Sequence, residues 1–211
     1  MSEYNIIETL GNAEVVEKKS RFIARAFPVE SEAQALEIIE KIKKEYWDAR
    51  HNCFAFVVGA NQEIQRFSDD GEPQGTAGKP ILEVLLNNHI TNALIIVTRY
   101  FGGTLLGTGG LVRAYGQAAK LGISNAQILR VSKGIRSEII VDYNSIGKIK
   151  YIIAQMELIT EDEQYTDAVK VIVQMKEEKY PEFQTKVADA TQGKAIFQNK
   201  EEIPYKESVQ I

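Results

Sequence analysis

Residues 93–122 read ALIIVTRYFGGTLLGTGGLVRAYGQAAKLG: an apolar run, a glycine-rich turn, and a stretch whose apolar positions recur at helical spacing. ALIIVT, Ala93 to Thr98, is short, β-branched and uninterrupted, as a buried strand must be. From about Gly109 to Leu121 a helix is expected, with Leu111, Ala114, Tyr115, Ala118 and Leu121 turned inward and Gly122 as its stop. A strand that turns through glycines into a helix requires a mixed α and β fold.

The flanking sequence extends this pattern in both directions. One or two strands are expected over 14–27, and Ser31 offers an N-cap, with Gln34 three positions on, to a helix ending near Trp47. HNCFAFVV, His51 to Val58, is a second buried strand, paired with Glu63 to Phe67. SDDGEPQGTAG, Ser68 to Gly78, is a loop, and Pro80 sits in the first turn of a helix whose stripe is Ile81, Leu82, Leu85 and Leu86. After residue 133 the pattern restarts: strand 135–143, helix 145–156, strands 158–165 and 168–175, helix 180–190 and strand 195–198, the order βαββαβ. The expectation is an α+β protein of two domains, 1–133 and 134–211.

Composition narrows the function classes. The 211 residues are 44% hydrophobic and 26% charged, with mean hydropathy −0.22. No stretch approaches the ~18 apolar residues of a membrane helix, and MSEYNIIETL lacks the basic start and apolar centre of a signal peptide. A cytoplasmic location without membrane contact is expected, and the single cysteine, Cys53, agrees with a reducing compartment. Residues 1–133 carry 15 Lys/Arg and 15 Asp/Glu, whereas 134–211 carry 10 and 14. Nucleic acid could therefore be met only through a local patch of the first half.

Motifs for known chemistry fail on inspection. Around Gly78-Lys79-Pro80 a Walker loop would lack its first glycine and its hydroxyl, and a dinucleotide fingerprint begun at Gly107 meets Val112 where its third glycine belongs. His51 and Cys53 share one side of a strand, but adjacent strand positions rarely align a base with its nucleophile. Asp69, Asp70 and Glu72 could hold Mg²⁺, although Asp-Asp-Gly-Glu is first a turn. No metal site, cofactor or catalytic residue is assigned. Arg113, Gln117 and Lys120 share a helix face that begins at Gly109 and Gly110, so loop amides and helix cations could converge on one anionic surface.

Gly78, Ile81-Leu82, Leu85, Ile90, Ile96-Val97, Arg99-Tyr100-Phe101-Gly102-Gly103 and Leu106-Gly107 together resemble the signature of the IMPACT/YigZ family, and HNCFAF and FSDDGEPQGTAG resemble its other characteristic segments. The resemblance, to the bacterial branch, covers the whole chain. It implies an N-terminal domain like the second domain of ribosomal protein S5 and domain IV of elongation factor G. The C-terminal domain would be ferredoxin-like, similar to domain V of that factor. It further implies translational control, which eukaryotic members exert through protein contacts.

Three functions follow as expectations: a non-enzymatic translation-associated protein touching RNA or the ribosome, a protein-interaction module, or an enzyme or binder of a phosphorylated small molecule. For the first, Arg99, Arg113, Lys120 and Lys79 would meet phosphates. Tyr100 or Phe101 would stack on a base, Gly102, Gly103, Gly107 and Gly109 would permit close approach, and His51 would join the surface. Asp69, Asp70, Gly71 and Glu72 form the family-motif loop.

Overall fold

The structure is a computed structural model, and it describes residues 3–211. In chain order its elements are β1 (Tyr4–Thr9), β2 (Gly11–Glu17), β3 (Ser20–Pro28), α1 (Glu32–Glu45), β4 (His51–Val58), β5 (Ile64–Ser68), α2 (Gly78–Asn87), β6 (Ala93–Tyr100), α3 (Gly107–Ser124), β7 (Gln127–Val141), α4 (Ile146–Gln155), β8 (Ile159–Tyr165), β9 (Val169–Lys176), α5 (Tyr180–Thr191) and β10 (Ile196–Val209). The fold is mixed α and β, with two sheets and five helices. The chain divides into two compact units, one over 131–206 and the other over residues up to 130 together with 207–211. The last five residues therefore group with the first unit, a placement that the sequence pattern did not anticipate.

In the first unit the sheet order is β2-β3-β6-β4-β5, antiparallel throughout. β6 is central and β4 lies beside it, which explains why both sequences are apolar on successive positions: each face is covered. Cys53, Ala55 and Val57 with Ile95 and Val97 face α2 and α3, where Ile81, Leu85, Leu111, Tyr115 and Ala118 complete one core. Phe56, Val58, Leu94 and Ile96 point the other way, onto Ala35, Ile39 and Ile42 of α1. α1 begins as expected, with Ser31 Oγ accepting from Gln34 N (3.2 Å) and Gln34 Oε1 accepting from Glu30 N (2.7 Å).

Three details of the sequence reading are corrected. Gly122 does not stop α3; it lies buried inside the helix, where a side chain would press on Ala24 of β3. Leu121, expected inward, is exposed. β1 and the early part of β7 carry no turn signal or clear alternation and were not foreseen.

In the second unit the order of elements is βαββαβ and the strand order is β10-β7-β9-β8. Ile135, Ile139, Val171, Val173, Ile149 and Phe183 form its core. The expected last strand is much longer than 195–198, since β10 continues to Val209.

Gly11 stands where α3 and the following turn press on β2: a methyl there would overlap the carbonyl oxygen of Gly122 and the backbone of Ala126. Gly11→Ala should lower unfolding free energy by about 1–3 kcal/mol, read as a reduced urea midpoint. Gly116→Ala, in open space on α3, should be neutral or stabilising.

Candidate functional site

A cavity of about 420 Å³ opens in the first unit, lined among others by Arg50, His51, Glu72, Arg99, Phe101, Leu106 and Thr108. Strand alternation decides which side chains reach it. On β6, Arg99 continues the face of Ile95 and Val97 toward α2 and α3, and on β4, His51 continues the face of Cys53. Tyr100 points to the opposite face, where its hydroxyl donates to Asp48 (2.8 Å) and its ring lies 5.9 Å from the Arg21 guanidinium. The expected contiguous patch of Arg99, Tyr100 and Phe101 is thus divided between two sides of the sheet.

Arg99 also departs from its expected place. Expected to meet phosphate at a surface, it is buried, and its Nη1 donates to Glu72 Oε1 at 2.6 Å with both side chains under 7% exposed. Tyr115 Oη donates to the same oxygen (2.7 Å). Nη2 reaches Ser20 Oγ (3.4 Å), and the guanidinium lies between the rings of Phe22 and Phe101, 5.4 and 5.6 Å from their centroids. The pair joins β6, the loop before α2, α3 and the start of β3.

The 68–78 loop is tied together by one of its own side chains. Asp69 accepts from the amides of Gly75 (2.8 Å), Ala77 (3.0 Å) and Gly78 (2.8 Å), which folds the loop around one carboxylate and supplies the entry of α2. Asp70 accepts from Lys43 Nζ (2.8 Å) and Asn52 N (2.7 Å). With Glu72 committed to Arg99, the three carboxylates face three different partners. Among the described residues no group of three or more His, Cys, Asp or Glu could share a cation, so the magnesium reading of this loop lacks its geometry. Gly71 has φ +87° and passes close to the His51 ring.

His51 Nδ1 lies 2.9 Å from the Asp70 carbonyl oxygen, and its Nε2 lies 4.0 Å from Glu72 Oε1. Cys53 is fully buried and donates to the Asp69 carbonyl oxygen (2.9 Å). Burial pushes its thiol far up, and Glu72, Asp70 and Asp69 push the same way against the bond to Tyr115. A neutral buried thiol is no nucleophile. Tyr115 is likewise held as the neutral phenol, first by burial and then by Cys53 and Glu72.

The remaining expected residues lie around this centre. Gly102 packs against the backbone of Lys19 so closely that a side chain there would overlap it, and its N–H donates to Ser20 Oγ (3.1 Å). Gly103 and Gly107 have φ of +84° and +69°, turning the chain into α3. Gly109 and Arg113 are exposed on α3, with Arg113 Nε donating to the Gly109 carbonyl (3.3 Å). Lys120 lies further along that helix, and Lys79 is exposed in the first turn of α2. Arg50, Ser20, Leu105 and Thr108 were missed. Position beside His51 could have suggested Arg50, but nothing local marks Ser20, whose partners are about eighty residues away.

Replacing Arg99 by Leu should destabilise the protein by about 3–5 kcal/mol, because Glu72 would be left charged and buried, whereas Arg113→Ala should shift it by less than about 0.5 kcal/mol in the same urea titration. The raised thiol of Cys53 has a definite sign. Its stabilisation is complete below the ordinary cysteine pKa and fades as the unfolded chain ionises above about pH 8.5. Unfolding free energy should therefore fall between about pH 8 and 10, less steeply in Cys53→Ala, and iodoacetamide should modify Cys53 only after denaturation.

The profile of the Impact N-terminal domain matches residues 18–123, which include every residue lining the cavity, and that of a domain of unknown function, DUF1949, matches 139–194. The chain is 37% identical to IMPACT family member YvyE of Bacillus subtilis over 92% of its length and 90% of the relative's. It is 36% identical to IMPACT family member YigZ of Escherichia coli, covering 83% and 87% of the two chains. A crystal structure of a hypothetical protein superposes with a TM-score of 0.60 at 32% identity, covering 95% of this chain and 98% of that one. Half of the chain matches the family's N-terminal profile and most of it aligns with bacterial members: the chain belongs to the IMPACT family.

Proposed function

We propose that the protein is a non-enzymatic, translation-associated binding protein that contacts RNA or the ribosome through its first unit. One observation carries this reading: the cavity has an aromatic and aliphatic wall, Phe101, Leu105 and Leu106, and an unpaired cation, Arg50, at the same opening. Bases stack on the former and phosphates meet the latter. The Lys18–Lys19 turn is packed beside Gly102. Lys79, Arg113 and Lys120 are also exposed, and none of these cations has an ion-pair partner among the described residues.

Family membership supports the setting, since eukaryotic proteins named IMPACT share 31–38% identity with 44% of this chain, and the family resemblance implies translational control for them. The first unit is read as similar to the second domain of ribosomal protein S5 and to domain IV of elongation factor G. The strand order β10-β7-β9-β8 supports a ferredoxin-like second unit, as in domain V of that factor. On this reading the second unit, with its surplus of carboxylates, contributes no nucleic-acid surface. The site of action is the cytoplasm.

Sedimentation of lysate at low and moderate salt tests the proposal. The protein should travel with ribosomal particles at low salt and leave them as salt rises, and Arg50→Glu and Arg113→Glu should each weaken the association and flatten its salt dependence by about one phosphate contact. Absence from the particles, or association indifferent to salt and to both substitutions, would overturn it.

A further inference from the structure

Glu72 is a buried carboxylate that lines the cavity and uses only one of its oxygens. Oε1 accepts from Arg99 and Tyr115, whereas Oε2 accepts from no described residue. Oε2 belongs to a side chain only 4% exposed that lines the cavity, and a carboxylate oxygen without a donor there is an open acceptor position. His51 supplies a second one. Its Nδ1 faces the Asp70 carbonyl, which can only accept, so Nδ1 is the donor, and in that tautomer Nε2 is left as an acceptor. Nε2 has no hydrogen bond to a described residue and stands 4.0 Å from the same carboxylate. The polar wall of the cavity thus offers two neighbouring acceptors.

Its volume, about 420 Å³, falls in the small-molecule range, roughly 300–1,000 Å³. The other wall is apolar, with Phe101 half-exposed on it. A flat ring with two adjacent donors on one edge fits between them. Among the bases only guanine has that edge, its ring N1–H beside its 2-amino group; adenine and cytosine pair one amino donor with a ring acceptor, and uracil has one N–H between two carbonyls. An arginine guanidinium also presents paired donors, but Arg50 at the opening repels a cation and attracts a phosphate.

We infer that this cavity is a binding site for a guanine nucleotide, read at its donor edge by Glu72 and His51, with the base against Phe101 and the 5′-phosphate toward Arg50. The inference deepens the RNA-binding reading and rests on it for the source of the base, which is either an unpaired guanine in a strand or a free nucleotide.

Calorimetric titration of the full chain with GMP, IMP, AMP and arginine amide, and with short RNAs containing guanine or only adenine, tests it. IMP differs from GMP by the 2-amino group alone, so its contrast is read on the unaltered protein and no variant has to fold. GMP should bind roughly tenfold or more tightly than IMP or AMP, the cost of leaving a charged acceptor unpaired. Stronger binding of the guanine-containing RNA than of GMP assigns the base to a strand, and equal or weaker binding assigns it to the free nucleotide. Equal affinities for GMP, IMP and AMP, no binding of any nucleotide at millimolar concentration, or tighter binding of arginine amide than of GMP would overturn the inference. Ribosome association without guanine preference sinks this inference alone, and guanine preference without ribosome association sinks the functional proposal alone.

Discussion

The ion pair of Arg99 with Glu72 is the constraint around which the first unit is arranged. Taking two charges out of water costs several kcal/mol each, and close geometry with further hydrogen bonds must offset it. Here the contact is 2.6 Å, Tyr115 adds a donor to the carboxylate, and Ser20 and two aromatic rings surround the guanidinium. Each partner comes from a different part of the chain, so the pair also fixes where those parts meet. The Asp69 carboxylate, capping three amides, holds the loop that delivers Glu72 in one conformation. Gly102 lets the chain pass over the β2–β3 turn without displacing Ser20.

This explains why the glycine-rich stretch resembles a phosphate loop without being one. Its glycines meet separate demands: close approach at Gly102, positive φ at Gly103 and Gly107, and open space at Gly109. A Walker loop wraps one anion with successive amides, whereas here the turn carries the chain from β6, ending in an ion pair, to the first residue of α3. Arg99, held by Glu72 and lying 5.6 Å from the Phe101 ring centroid, lines the cavity together with both.

Much of the fold was legible because burial on both faces leaves an unmistakable imprint. HNCFAFVV is β4 to the residue, and the N-cap of α1 is where Ser31 and Gln34 require it. β1, the early part of β7 and the continuation of β10 beyond residue 198 were not legible, since these stretches mix exposed and buried positions without a sustained apolar run. At the site, residue types were legible and their directions only partly so. Alternation along β6 already separates Tyr100 from Arg99 and Phe101, and that signal was available in the sequence. The inward turn of Arg99 was not, because its partner Glu72 lies 27 positions away in a loop whose path depends on Asp69.

Net charge proves a poor guide to what this surface can meet. Residues 1–133 sum to zero charge, and many of their carboxylates are spent internally: Glu72 on Arg99, Asp70 on Lys43, Glu14 on Arg21, Glu32 on Arg66. The exposed Lys18, Lys19, Arg50 and Arg113 are left outside these pairs. In the second unit the cations are the ones consumed, by Glu161 at Arg136, Glu163 at Lys150, Glu138 at Lys170 and Glu182 at Lys186. Apart from the buried pair of Arg99 with Glu72, these largely exposed pairs add little stability, about 0–1 kcal/mol each, but they cancel local field. A first unit without net positive charge is therefore compatible with a positive cavity mouth, and an anionic ligand would respond to the mouth because salt screens charges more than ~10 Å away.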